Sequence, residues 1–235
     1  DIDDNKSNSN GLDNYYSSTV TPTYTTANLL TGVLSNDYID VTGDGISDDD
    51  LGSFTKFNYT RKSKDYRWRS PSQVNKANYI PGYFSDKKDD KAAYMIGSRE
   101  QWYLHSIETK NYVAEFYVSV RSDAQGVSDA ILGSSPNSKY KDSIYRSYNN
   151  ANDNKSYKLD SIVLYNKHDR FANGASAKAI KTVYFTYDYS LCQGVPNSLS
   201  GKLTLKAIRF KFADSKLNVS APYKFTYTNN YAYNP

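Results

Sequence analysis

Between Asp40 and Asp50 the chain reads DVTGDGISDDD, five carboxylates in eleven residues. Carboxylates crowded on one short loop repel one another unless they share a cation, and oxygen ligands suit a hard divalent ion. Calcium takes six to eight oxygens at about 2.3–2.6 Å, and a loop can wrap them when alternate residues turn inward. Asp40, Thr42 and Asp44 stand at the first, third and fifth positions of such a loop. Gly45 then allows the sharp turn, Ile46 offers its carbonyl and Asp48 falls two residues further on. Leu51 occupies the place where an EF-hand carries its bidentate Glu. The expected site is therefore a calcium loop between strands, with Asp49 or Asp50 supplying what that Glu would have given. The plain alternative is an acidic solvated turn, because Thr-Gly and Asp-Gly form turns without metal. Spacing and glycine together favour calcium, with Asp40, Thr42, Asp44, Ile46 and Asp48 as ligands.

Other residues carry weaker chemistry. His105 and His168 each lie near an acid, Glu108 and Asp169, so either has the makings of an oriented base. No G-x-S-x-G nucleophile motif accompanies them, and their spacing is not that of a zinc site. No catalytic residue is expected. Trp68 in DYRWRS and Trp102 in EQWYLHS are candidate carbohydrate contacts, since a flat ring stacks on the apolar side of a sugar while polar neighbours take its hydroxyls. Against that, Trp102 reads as a packing residue, and Trp68 between Arg67 and Arg69 reads as exposed or in cation–π contact. The run SDKKDDK (85–91) has interspersed lysines and no turn glycine, and reads as a solvated charge run. Lone Cys192 reads as a small buried apolar residue, with no disulfide framework and no thiolate cluster around it.

The elements that must position these residues are strands. The chain of 235 residues carries 24 Tyr, which together with Thr favours strands, while the strong helix formers Ala and Leu are sparse. Three stretches, 103–120, 158–190 and 203–229, share one grammar. Each opens with Leu-x-x-Ile (Leu104 and Ile107, Leu159 and Ile162, Leu205 and Ile208) and continues into an alternating run such as Val183, Phe185 and Tyr187. A spacing of three followed by twos is one slip of side-chain phase within a strand, which is what a β-bulge produces. Three related hairpins are expected, each bulged at the same place. Residues 1–14 read as a linker and 15–235 as a single all-β domain, an antiparallel, hairpin-rich sandwich or curved extended sheet with long loops. The long loops are expected at 70–93, 121–157 and 166–178, with a tight turn at Asn173-Gly174. The 29 basic and 25 acidic residues are interleaved, which excludes a nucleic-acid stripe, and no stretch is apolar enough for a membrane span. The start at Asp1, without Met, reads as a processed form or a section of a longer chain.

The acidic loop is similar to the short calcium loops of FG-GAP and thrombospondin type 3 repeats. The successive blocks YIDVTGDGISDDDLGSFTKFNYT, YRWRSP, QWYLHSIETKNYVAEFY, KLDSIVLYNK, IKTVYFTYDYSLCQGVPNS and GKLTLKAIRFKF…SAPYKFTY, spanning about residues 36–229, resemble sections of very large exported surface proteins of the Bacteroidota. The hairpin units also resemble, more weakly, those of Rhs/YD-repeat and Tc-toxin B-type proteins, although the YD signature is absent. The resemblance implies an extracytoplasmic location, at the cell surface or secreted. The expected role is a calcium-stabilised structural or adhesive module whose partners are neighbouring modules of the same chain or a surface glycan. A carbohydrate-binding module is the alternative, and an enzyme the third reading.

Overall fold

A computed structural model of the chain describes residues 19–70, 78–80, 91–93, 95–126, 154–195, 198, 200–213 and 221–228. The linker expected at 1–14 lies outside these residues, as do the run 85–90 and most of the loop expected at 121–157.

The described chain is an antiparallel sheet. Its strands are β1 (Gly32–Leu34), β2 (Phe54–Ser70), β5 (Met95–Glu108), β6 (Tyr112–Val120), β7 (Tyr157–Asn166), β8 (Ala179–Leu191), β9 (Lys202–Phe212) and β10 (Tyr223–Lys224). They lie side by side in chain order, interrupted only by a separate hairpin of β3 (Asn78–Ile80) and β4 (Lys91–Ala93). That hairpin puts regular structure inside the excursion expected at 70–93. The all-β, antiparallel expectation holds.

The three slips are in place. Opposite β2, β5 passes from Ser106 to Leu104 while β2 advances one residue, which leaves His105 as the extra residue. Opposite β6, β7 passes from Ser161 to Leu159 and leaves Asp160. Opposite β8, β9 passes from Ala207 to Leu205 and leaves Lys206. In every copy the residue after Leu is the bulge, so Leu and Ile fall on one face although three apart.

The structure adds a fourth copy that the spacing did not reveal. Leu30, Thr31, Gly32 and Val33 stand to β2 as Leu205, Lys206, Ala207 and Ile208 stand to β10. Val33 pairs with Thr55 and Gly32 with Lys56, just as Ile208 pairs with Tyr223 and Ala207 with Lys224. The Phe57 amide donates to the Thr31 carbonyl as the Phe225 amide donates to that of Lys206. The Tyr59 hydroxyl donates to the Leu30 carbonyl as the Tyr227 hydroxyl donates to that of Leu205. The middle hairpins keep the same register, Ile107 on Ala114 and Ile162 on Val183. The unit is thus Leu-x-small-Ile/Val, then a return strand, and the small residue is Gly32, Ser106, Ser161 or Ala207.

Units join by one rule. Phe57 pairs with Ile107 and Tyr59 with Leu104; Phe116 pairs with Ile162 and Val118 with Leu159; Phe185 pairs with Ile208 and Tyr187 with Leu205. Paired residues share a face, so these rows make one face apolar. Ser106, Val113, Val163, Thr182 and Ala207 are buried on the opposite face. There, helix α1 (Lys167–Asn173) packs against β6 and β7. The helix replaces the plain loop expected at 166–178. Asn166 caps it by accepting from the Asp169 amide, and Gly174, at φ 52°, ends it, so Asn173-Gly174 is a helix stop rather than a hairpin turn.

Two further register shifts beyond Arg61 turn the far half of the β2–β5 ribbon against residues 121–126 and 154–157. The Tyr66 hydroxyl donates to the Ala124 carbonyl at 2.7 Å, and the Tyr157 amide to the Tyr103 hydroxyl at 3.1 Å. The segment after β6 is fixed by Asp123, which is fully buried. It accepts from Arg121 at 2.7 and 2.6 Å and from the Leu203 amide at 3.0 Å. Burial opposes ionisation of Asp123, but Arg121 and the Leu203 amide outweigh it and hold the carboxyl below the usual carboxylate range.

Candidate functional site

The acidic stretch is an excursion within the first hairpin. Below it, β1 and β2 pair, and the Ser35 amide donates to the Ser53 carbonyl at 2.9 Å. Above, Ile39 and Leu51 exchange both amide bonds, at 3.2 and 3.0 Å, and close residues 40–50 into a loop. Two glycines carry the reversal at positive φ, Gly43 at 76° and Gly45 at 90°, where a side chain would strain the backbone. The Ile46 side chain lies on Gly32, whose missing Cβ leaves the room: a methyl there would stand 2.3 Å from Ile46 Cδ1.

Within the loop, Asp40, Asp44 and Asp50 each bring a carboxylate oxygen within 4.8 Å of the others. The Asp40 oxygens accept from the Gly43 and Gly45 amides at 2.7 and 3.0 Å, and Asp44 accepts from the Thr42 hydroxyl at 3.0 Å. Asp50 is buried and holds the loop from inside. It accepts from the Tyr38 hydroxyl at 2.6 Å and from the amides of Ser47 and Val41 at 2.8 and 3.3 Å. The Tyr38 bond, then that of Ser47, keeps the Asp50 carboxyl below its ordinary range. Reciprocally, Asp50 pushes the Tyr38 phenol up to about 12. The Ser47 hydroxyl likewise holds Asp49 low.

The expected ligands are divided. Asp40 and Asp44 meet in the cluster, and Thr42 braces Asp44. The Ile46 carbonyl instead accepts from Lys56 Nζ at 2.8 Å, and Asp48 turns outward to Lys167 Nζ at 2.6 Å. Lys167 is itself buried and reaches Glu108 at 3.3 Å, so it ties α1 and β5 to the loop. A third ammonium, Lys110 in the β5–β6 turn, donates to the Asp50 carbonyl at 2.5 Å. Three lysines from three elements therefore dock a strongly acidic loop onto the sheet.

Two oxygens bound to one calcium, each at about 2.4 Å, lie no more than about 4.8 Å apart. The carboxylates of Asp40, Asp44 and Asp50 meet that spacing, and each carboxylate keeps lone-pair capacity beyond the bonds named above. Their donor set is hard oxygen throughout, which fits a hard cation and not a soft metal.

The tryptophans do not form a shared platform. Trp102 faces one side of the β2–β5 ribbon and Trp68, opposite Gly97, faces the other. Trp102, expected as a packing residue, is exposed: its indole donates to Glu100 at 2.8 Å, and the Arg61 guanidinium stands 5.5 Å over its ring. Trp68 lies flat against Gly97, where a Cβ would come within 2.8 Å of the ring. Trp68 is exposed, one of the two states expected for it, and among the described residues the cation–π contact falls on Trp102 instead, because cross-strand pairing with Arg61 decides it rather than sequence neighbours. His105 is an exposed bulge residue, and His168 is exposed on α1. Cys192 is half-exposed at φ 50° in the turn after β8, not buried. Among the described helices none is long and apolar enough to cross a membrane. Compared with known proteins, the chain matches no family model, no curated protein and no solved structure.

Proposed function

We propose that the chain is a structural β-repeat module of a large exported surface protein, stiffened by a calcium ion held on Asp40, Asp44 and Asp50. The observation that supports the structural role is repetition: four hairpins share one internal register, and three junctions share another. A plan of that kind adds length by stacking equal units, each touching only its neighbours. The resemblance of its blocks to exported surface proteins agrees with such a role outside the cytoplasm. Calcium would supply charge neutralisation, not chemistry. Asp40 and Asp44 would hold it from the rim, Asp50 from the buried side, and Thr42 would orient Asp44.

The test is thermal unfolding of chelated protein with and without added calcium, beside Asp44→Ala. Asp44 is the right residue to remove because it is exposed and, among the described residues, its side chain is hydrogen-bonded by Thr42 alone, whereas Asp50 holds the loop together without any ion. At one hundred times the dissociation constant, a ligand bound only by the folded state adds about 2.7 kcal/mol. For a domain of this size that is a rise in Tm of about 5–11 °C, which Asp44→Ala should abolish. An unchanged Tm in protein shown to be metal-free would reduce the loop to an acidic turn held by lysines.

A further inference from the structure

Among the described residues the repeat register has two unfinished ends. In each internal junction a Phe-x-Tyr/Val edge receives the next Leu-x-small-Ile strand with one bulge. The last unit carries the first half of that junction, Phe225-Thr226-Tyr227, and the first unit carries the second half, Leu30-Thr31-Gly32-Val33. Among the described residues neither half has a junction partner. Leu30 and Val33 are 56% and 53% exposed and Phe225 and Tyr227 38% and 47%, whereas their internal counterparts Leu159, Ile162, Phe185 and Tyr187 are only half-exposed.

We propose that these ends are complementary, and that the Leu30–Val33 strand of a second copy adds to the Phe225–Tyr227 edge by the junction rule used three times inside the chain. Phe225 pairs with Val33, Thr226 with Gly32 and Tyr227 with Leu30, and Thr31 takes the bulge that His105, Asp160 and Lys206 take internally. The Tyr59 hydroxyl on the Leu30 carbonyl does not block this edge, because the same bond from Tyr227 to Leu205 coexists with the pairing of Leu205 to Tyr187. The backbone supplies affinity and the apolar rows supply register, as in other strand additions. The contact is heterologous, with different surfaces on the two copies, so it propagates head to tail instead of closing as a symmetric dimer. The inference rests on the structural-module reading and names that module's partner.

The experiment is sedimentation velocity of the full chain over a wide concentration range, with one variant blocking each end. The Phe225 amide points to Lys206, so the neighbouring Thr226 amide points outward, and Thr226→Pro removes that donor while leaving the β9 contact intact. Leu30→Lys places a charge in the apolar row at the other end and keeps the carbonyl that Tyr59 holds. The wild type should form dimers and longer species as concentration rises, and each variant alone should stay monomeric. An equimolar mixture should form a one-to-one dimer and nothing larger, because each variant keeps the end that the other lacks. Melting curves matching the wild type show that both variants fold. A wild type that stays monomeric at every concentration, or single variants that associate as the wild type does, overturns the inference. Either result leaves the calcium response free to stand or fall by itself.

Discussion

Replacing Asp123 with Ala should be among the most damaging single changes in the described part of the chain. The carboxylate is fully buried and takes two bonds from Arg121 and one from the Leu203 amide. It thereby fastens the end of β6 to the start of β9, while the neighbouring Ser122 amide donates to the Tyr189 hydroxyl. The substitution leaves a part-buried amide without its acceptor and a guanidinium without its counter-charge. Breaking a buried pair costs about 3–5 kcal/mol. Arg121 is 26% exposed, however, so water recovers part of its solvation, and about 2–4 kcal/mol is the expected loss. For a domain of this size the Tm falls by about 5–15 °C. Urea unfolding of the wild type, Asp123→Ala, Arg121→Ala and the double variant measures the coupling directly. The two groups act on one another, so the double variant should be less destabilised than the sum of the singles, by about 1–3 kcal/mol. A loss below about 0.5 kcal/mol for Asp123→Ala, or a cycle that adds without remainder, would refute the reasoning.

Acid should destabilise the chain late. Asp50 and Asp123 are both held below the ordinary carboxylate value of 3.8. Each binds its proton more weakly folded than unfolded, so their stabilisation is complete above that value and is lost as pH falls through the depressed ones. The urea midpoint should be level from pH 7 to about 5 and fall below about pH 4; Asp123→Ala should flatten that fall, and a slope unchanged by the substitution would count against it. Gly52→Ala should be far more harmful than Gly43→Ala. Both residues sit at positive φ, 75° and 76°, but a Cβ on Gly52 would lie 2.6 Å from the Asp37 carbonyl oxygen, while that on Gly43 meets nothing within 4 Å. Gly43→Ala should cost about 1–2 kcal/mol from the backbone alone, and Gly52→Ala clearly more; equal melting temperatures for the two variants would contradict the account.

The strand grammar was legible because side-chain phase is a local property. Leu and Ile three apart, followed by alternation, admit one arrangement with both on a single face, and the bulges at His105, Asp160 and Lys206 realise it. The first unit escaped because Val33 stands in place of Ile and the acidic excursion separates it from Phe57, so only the shared register reveals it. The acidic loop was legible as a loop with Asp40 and Asp44 inside it, since glycines and alternate carboxylates announce both. The positions of Asp48 and Ile46 were not legible. Lysines far away in sequence, Lys167 and Lys56, compete for those oxygens, and no local spacing encodes a competitor. Asp50 takes its inward place because the Ile39–Leu51 bridge closes the loop beneath it and Tyr38 stands opposite. The sequence by itself determined the three later hairpins, the bulge in each and the crowding of charge, all set by neighbours within a few residues. Which carboxylates meet, which are claimed by ammonium groups and which edges of the described sheet lack a junction partner was decided only when distant strands came into register.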